Sequence, residues 1–321
     1  MSRRQTSKSL AGLALAFALF LTHAAGAHAL TIAPARIELT GDPGATATGE
    51  MVVTNEEQQG RTFYTSSQNF EARGESGTPN FTDSATGLAS WVEVAPQVTL
   101  APGEKVTVPF SVRIPKDAEP GGHFAAIFLS TVPPTEGAQV AIGAKVGVLL
   151  LLRVAGDVPE AGGVSNFGPT HHLVLSLPVS FTYRFTNSGG DRVNPRGDIV
   201  VRNLFWLKSV DLPANPGQGN VLPGSTRKYE TAWGDPNEAR PSGFFGALAY
   251  EWKHFALGPY HAKLGLAYGV NGTAAAGAWF FVLPWQLLLV ILIVLALLFP
   301  LLRVGVRRYN RWVIRKAQQA A

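Results

Sequence analysis

The chain has 321 residues, 46% of them hydrophobic, with 34 Gly and 22 Pro, which excludes a disordered chain and a compact helical bundle and fits an all-β protein of two domains. It contains no Cys, so a disulfide framework, thiolate zinc sites, iron–sulfur clusters and a cysteine nucleophile are excluded together. The net charge of +5 sits in the ends: residues 1–29 carry three basic residues and no acid, residues 279–321 carry six and none, and the 249 residues between carry 18 basic against 22 acidic side chains, so nucleic acid is not the expected partner.

Residues 1–29 read as a secretory signal peptide. Arg3, Arg4 and Lys8 precede an apolar stretch, Leu10 to Leu21, that is too short to span a bilayer comfortably, and Ala27-His28-Ala29 is a small-x-small cleavage pattern.

Residues 30–155 alternate in short runs separated by Pro/Gly turns, the pattern of an antiparallel sandwich. The expected strands are 31–39, 46–55, 62–70, 91–94, 105–114, 123–132 and 141–154, with 74–87 an exposed polar loop. Residues 156–163 have the composition of a linker. A second β-sandwich is expected over 164–278, with strands at 173–177, 179–187, 197–201, 225–233 and 260–268 and an irregular aromatic stretch over 234–258. No helical period is read before residue 280. The two units share turn chemistry: Thr54-Asn55 corresponds to Thr186-Asn187, and Leu100-Ala101-Pro102-Gly103 to Val221-Leu222-Pro223-Gly224. That correspondence fits two related sandwiches; two unrelated β units using common turns remain the alternative.

Residues 279–302 are expected to form a transmembrane helix. No charge occurs from Ala274 to Leu302, and about 20 apolar residues suffice to cross the hydrocarbon layer. Trp279 and Trp285 are placed at the outer headgroup zone, and Arg303, Arg307 and Arg308 begin a basic cytoplasmic tail over 303–321. The positive-inside rule then puts residues 30–278 outside the cytoplasm, and the tail against anionic lipid.

The run Trp91-Val92-Glu93-Val94-Ala95-Pro96, then Leu100-Ala101-Pro102-Gly103-Glu104, Val112 to Ala118 and Pro120-Gly121-Gly122-His123-Phe124 resembles the N-terminal domain of the WxL-interacting protein family, bacterial surface proteins with two immunoglobulin-like domains, a C-terminal transmembrane helix and a basic tail. His123-Phe124 stands where that family usually has Tyr. The resemblance implies immunoglobulin-like folds, peptidoglycan contact by the first domain and binding of a surface protein partner by the second. Arg36, Trp91 followed by Pro96, and the late strand before the linker also resemble periplasmic pilus chaperones, which implies assembly by β-strand addition.

No catalytic pattern is present: there is no G-x-S-x-G, H-E-x-x-H, Walker or dinucleotide-binding glycine motif. His171-His172, adjacent on a strand, would point to opposite faces and make a poor metal site. Arg196-Gly197-Asp198 spells an adhesion tripeptide, and coincidence is the preferred reading. The chain is therefore expected to be no enzyme and to need no cofactor or metal. Trp206, Trp233, Phe244, Phe245 and Trp252 are candidates for a binding surface, with filling of the second core as the preferred alternative. The expected function is a membrane-anchored extracytoplasmic binding protein that contacts lipid, cell-wall polymer or a surface protein.

Overall fold

The fold is that of a computed structural model, which describes residues 30–82, 85–133 and 145–320. The signal peptide read over 1–29 lies outside the described residues. Two compact units divide the chain, the first drawn from residues 30–69, 82–119 and 123–154, the second from 70–81, 120–122 and 155 onward. Both are immunoglobulin-like β-sandwiches, and an apolar helix ends the chain.

In the first sandwich, β1 (Leu30–Ala33), β3 (Thr46–Asn55), β8 (Lys105–Arg113) and β6 (Val92–Val94) form one sheet, in the order β1-β3-β8-β6. The other sheet runs β2 (Arg36–Gly41), β10 (Lys145–Val154), β9 (Gly121–Ser130), β4 (Arg61–Arg73), β5 (Thr78–Thr82), and β7 (Gln97–Leu100) also pairs with β4. Alternation sets the inward face, with Val108, Phe110 and Val112 of β8 buried between exposed neighbours. Strand β10 buries Leu150, Leu151 and Leu152 in succession, with Leu150 and Leu152 in the core. A single turn of helix, α1 (Leu88–Trp91), plugs one margin of this core with Leu88.

The expected single strand 31–39 is two strands in different sheets. β1 runs antiparallel to β3, and after the cis Ala33–Pro34 bond the chain crosses over, so that β2 lies parallel to β10 from Arg36↔Leu149 to Gly41↔Val154. The loop expected over 74–87 contains β5, because Thr78–Thr82 returns along β4 as a hairpin.

The second sandwich packs a sheet of β11 (Gly162–Pro169), β13 (Val179–Asn187) and β16 (Thr226–Trp233) on a sheet ordered β12 (Leu173–Val174), β18 (Gly272–Val282), β17 (Gly258–Tyr268), β14 (Arg196–Asn203), β15 (Lys208–Pro213). Val179, Phe181, Tyr183 and Phe185 of β13 alternate inward onto Ile199, Val201, Leu264 and Phe280. The leading segment repeats the first unit's crossover: β11 is antiparallel to β13, and β12 is parallel to the last strand, β18. The expected linker 156–163 thus ends two residues early, since Gly162 and Gly163 already pair with Asn187 and Thr186.

Two expectations near the carboxyl end are corrected. A helix, α2 (Phe244–Lys253), occupies the stretch read as irregular; it buries Ala247, Tyr250 and Glu251, one turn apart on one face, and starts at Gly243 with φ 81°, a conformation open to glycine. The transmembrane start at residue 279 is also displaced. Trp279 and Phe280 belong to β18, where Phe280 is buried against Tyr260, Phe181 and Trp233, and α3 (Trp285–Ala320) begins only after Leu283-Pro284. Uncharged Ala and Gly at the outward positions of β18 make that strand read as the opening of the apolar run.

Candidate functional site

The second sandwich and α3 meet through a buried side chain and an apolar groove. The first amides of a helix have no partner within it. At α3 the Leu287 N–H donates to Glu251 Oε2 at 2.8 Å, and that carboxylate, 1% exposed, reaches across from α2. An anion here also meets the positive end of the helix dipole. Glu251 Oε1 and the Oε1 of buried Gln286 have no hydrogen-bond partner among the described residues. The Lys253 ammonium, 2.7 Å from Glu238, holds the Glu238 carboxyl below the usual carboxylate range, and Glu238 in turn raises Lys253; His254 Nε2 lies 3.0 Å from the other Glu238 oxygen.

Between α2 and α3 runs an apolar groove of about 500 Å³, walled by Phe245, Leu248 and Trp252 on one side and Leu287, Ile291 and Leu295 on the other. Helix α3 carries a 28-residue stretch, Trp285–Trp312, with mean hydropathy 3.0 over its most apolar window and 6% of that window buried. By length and composition it is able to cross a membrane. Arg303, Arg307 and Arg308 lie exposed on the same continuous helix, which includes Pro300.

A second apolar feature is the turn between β14 and β15. Asn203 Oδ1 accepts the Phe205 and Leu207 amides at 3.0 and 3.1 Å, and Trp206, at φ 60°, donates its amide to the Asn203 carbonyl. This tight turn leaves Leu204, Phe205, Trp206 and Leu207 all exposed. The Trp206 ring meets Trp279 and His261 edge-on at 6.2 and 5.8 Å.

The five aromatics named as candidates for a binding surface, with core filling preferred, therefore separate. Trp233 belongs to the core, T-shaped against Tyr260 at 5.2 Å. Phe244, Phe245 and Trp252 lie on α2, with Phe244 6.2 Å from the Trp285 ring. Trp206 joins Trp279 instead, so Trp279 is an outward strand residue and Trp285 alone of the two Trp anchors is on the helix. Of the exposed run Leu204–Leu207 the sequence offered only Trp206 as a surface candidate, because its apolar neighbours carry no marker of exposure.

In the first sandwich, Trp91 and His123 of the quoted motif meet with ring centroids 4.8 Å apart, and the His123 Nε2 lies 2.8 Å from the Glu119 carbonyl. Strand β10 outruns its parallel neighbour: β2 covers it only from Leu149 to Val154, while Val146–Val148 precede that pairing. Arg36 and Glu38 pair on the outer edge of β2 at 3.1 Å, the charged finish typical of a protected edge. Arg196 and Asp198 of the adhesion-like tripeptide line a shallow concavity on the β14–β17–β18 face together with Arg202 and Lys263. Among the described residues no group of three or more His, Asp or Glu is placed to hold a metal.

No known family model matches the chain, and no curated protein matches it. Solved structures do. The chain is similar to one from the chaperone–tip adhesin complex of CFA/I fimbriae (10% identity, 78% of this chain and 98% of that one, TM-score 0.38), to the class 5 fimbrial chaperone CfaA (10%, 78% and 99%, 0.37) and to the E. coli chaperone DraB (12%, 79% and 98%, 0.34). The likeness is one of fold and carries no residue role to this chain.

Proposed function

We propose that this chain is a single-pass membrane protein that holds two sandwiches outside the cytoplasm and works there by binding, not by catalysis. The observation that carries the proposal is the join of β18 to α3 through two residues, which seats the second sandwich directly on a helix of spanning length and almost no burial. The basic residues Arg303, Arg307 and Arg308 at the far end support this orientation, by the positive-inside rule.

The ligand class we favour is an extended protein segment added to the edge of β10. Support comes from the stretch Val146–Val148, where β10 runs on past the end of β2, so that a strand entering there would continue the row that β2 begins. Wall polymer bound by the first sandwich, as the resemblance to WxL-interacting proteins implies, is the second reading; the meeting of Trp91 with His123 favours it, since such paired rings offer a face for sugars.

Protease added to spheroplasts of a bacterial host expressing the full chain should digest residues 30–278 and spare a tag placed after Ala321. Recovery of the full chain in the supernatant after lysis and ultracentrifugation would refute the anchoring. A photo-crosslinking residue at Val146 in the same cells separates the ligand classes: a discrete protein adduct supports strand uptake, and adducts only with wall polymer support the second reading.

A further inference from the structure

We infer that the end of the second sandwich from which α3 leaves is a membrane-inserting collar, in which the Leu204–Leu207 tip and the outer face of α2 enter the lipid leaflet around the helix. The inference rests on the anchoring proposed above and adds a second, peripheral contact with the bilayer.

Strand register brings the parts together. β14 ends with Asn203 opposite Tyr260, and Tyr260 is opposite Phe280. Two residues further, Val282 pairs with Gly258 and the chain passes into α3, so the tip that follows Asn203 is level with the start of the helix. Helix α2 is held at the same level by the bond from Leu287 to Glu251. Two segments far apart in sequence thus deliver Phe205 (76% exposed), Phe245 (80%) and Trp252 (72%) to one end of the sandwich.

Lipid is the occupant that the geometry selects. One wall of the α2–α3 groove is Leu287, Ile291 and Leu295, the first turns of the span itself. Leu295 lies about 15 Å along the helix from Trp285. If those turns are in hydrocarbon, the facing wall of Phe245, Leu248 and Trp252 is at acyl depth too, and the groove is filled by acyl chains. Aromatic side chains flanking a span are the residue types that favour the headgroup boundary. An apolar surface of this kind left in water would be unusual for a soluble domain. The tip is also preformed, since Asn203 accepts the amides of Phe205, Trp206 and Leu207, so insertion requires little ordering.

The absence of Cys allows single labels on the full chain. Phe205→Cys, Phe245→Cys, Gly217→Cys (beyond the far end of β15, with open space around it) and Leu295→Cys are each labelled with bimane and reconstituted into phosphatidylcholine vesicles. Nitroxide on the upper acyl chain should quench labels at 205, 245 and 295 several-fold more than at 217, and aqueous iodide should do the reverse. If 205 and 245 follow 217 while 295 stays lipid-quenched, the collar is wrong and the anchor stands. If 295 is also quenched by iodide, the anchor fails and the collar with it. Labels at 205 and 245 shielded from both quenchers would mean that protein, a second copy or another chain, covers the patch, which overturns the inference.

Discussion

Glu251 and Leu287 are joined by a 2.8 Å hydrogen bond from the backbone amide of one to the carboxylate of the other, so the long apolar helix is capped by a residue 36 positions upstream instead of by its own leading segment. Pro284, at the position where a capping side chain would normally stand, offers none. Replacing Glu251 with Ala leaves a buried amide without a partner, at a cost of about 1–3 kcal/mol. Glu251→Gln keeps an acceptor and should lose less. Thermal unfolding in detergent micelles, with trypsin cleavage after Lys253 as the local probe, checks this: faster cleavage and a lower midpoint are expected for Glu251→Ala, and an unchanged cleavage rate would show that the cap does not hold α2.

Asn55 and Asn187 are fully buried and do the same work in the two sandwiches. Each side-chain amide donates to carbonyls of its own turn and of the opposing Pro-Gly turn: Asn55 to Gln59, Leu100 and Ala101, Asn187 to Asp191 and Val221. Each backbone carbonyl accepts from the glycine of that turn, Gly103 or Gly224, at 2.9 Å. Asn→Ala at either site strands two or three buried or half-buried carbonyls and should cost about 2–4 kcal/mol in its own sandwich. Urea unfolding of each variant reads this out, and a loss below about 0.5 kcal/mol would contradict it.

This shared device was legible in the sequence because Thr-Asn and Pro-Gly are local signatures of turn chemistry. β13 was legible from end to end, since Val179, Phe181, Tyr183 and Phe185 alternate without a break. What stayed hidden depended on tertiary packing. The outward positions Ala275 and Gly277 of β18 carry no polar marker, so its alternation vanished into the apolar run of α3. The face that α2 buries contains Glu251, an acid whose partner is supplied only by the fold. The tip at Leu204–Leu207 holds no polar residue to mark it as exposed; it is Asn203, closing the turn beneath it, that leaves it outside the core. The aromatic list divides for the same reason: Trp233 and Trp252 are chemically alike, and only the fold packs the first against the core and leaves the second exposed on α2.

Alkaline pH should weaken the second sandwich through Tyr229. Its hydroxyl donates to the Gly219 carbonyl at 2.8 Å, its ring stacks on Tyr183 at 5.0 Å, and burial pushes its pKa from 10.0 up to about 12. Burial raises Tyr183 as well. A group whose folded value is raised contributes fully below its unfolded value and loses that contribution as pH climbs through the folded one. Stability should therefore hold up to about pH 10 and fall between about 10 and 12. Tyr229→Phe should start lower, having lost the hydrogen bond, and show a shallower alkaline decline. Urea midpoints measured across that window check the sign, and parallel pH profiles for the two proteins would rule Tyr229 out as the cause.

Phe280 and Trp279 are neighbours with opposite environments, and they test where the sandwich ends and the helix begins. Phe280 is 3% exposed and stacks on Tyr260 at 5.6 Å; Trp279 is half exposed and meets His261 at 4.7 Å. If β18 runs to Val282, Phe280→Ala opens a cavity in the second core and should cost about 3–5 kcal/mol. Trp279→Ala, on the outward face, should stay within about 1 kcal/mol. If residue 280 were instead part of the span, its truncation would remove apolar surface from lipid and leave urea unfolding of the sandwich unchanged. Measured on the full chain in micelles, a large loss at 280 beside a small one at 279 fits the strand. Equal and small effects would return residue 280 to the membrane and move the start of the helix with it.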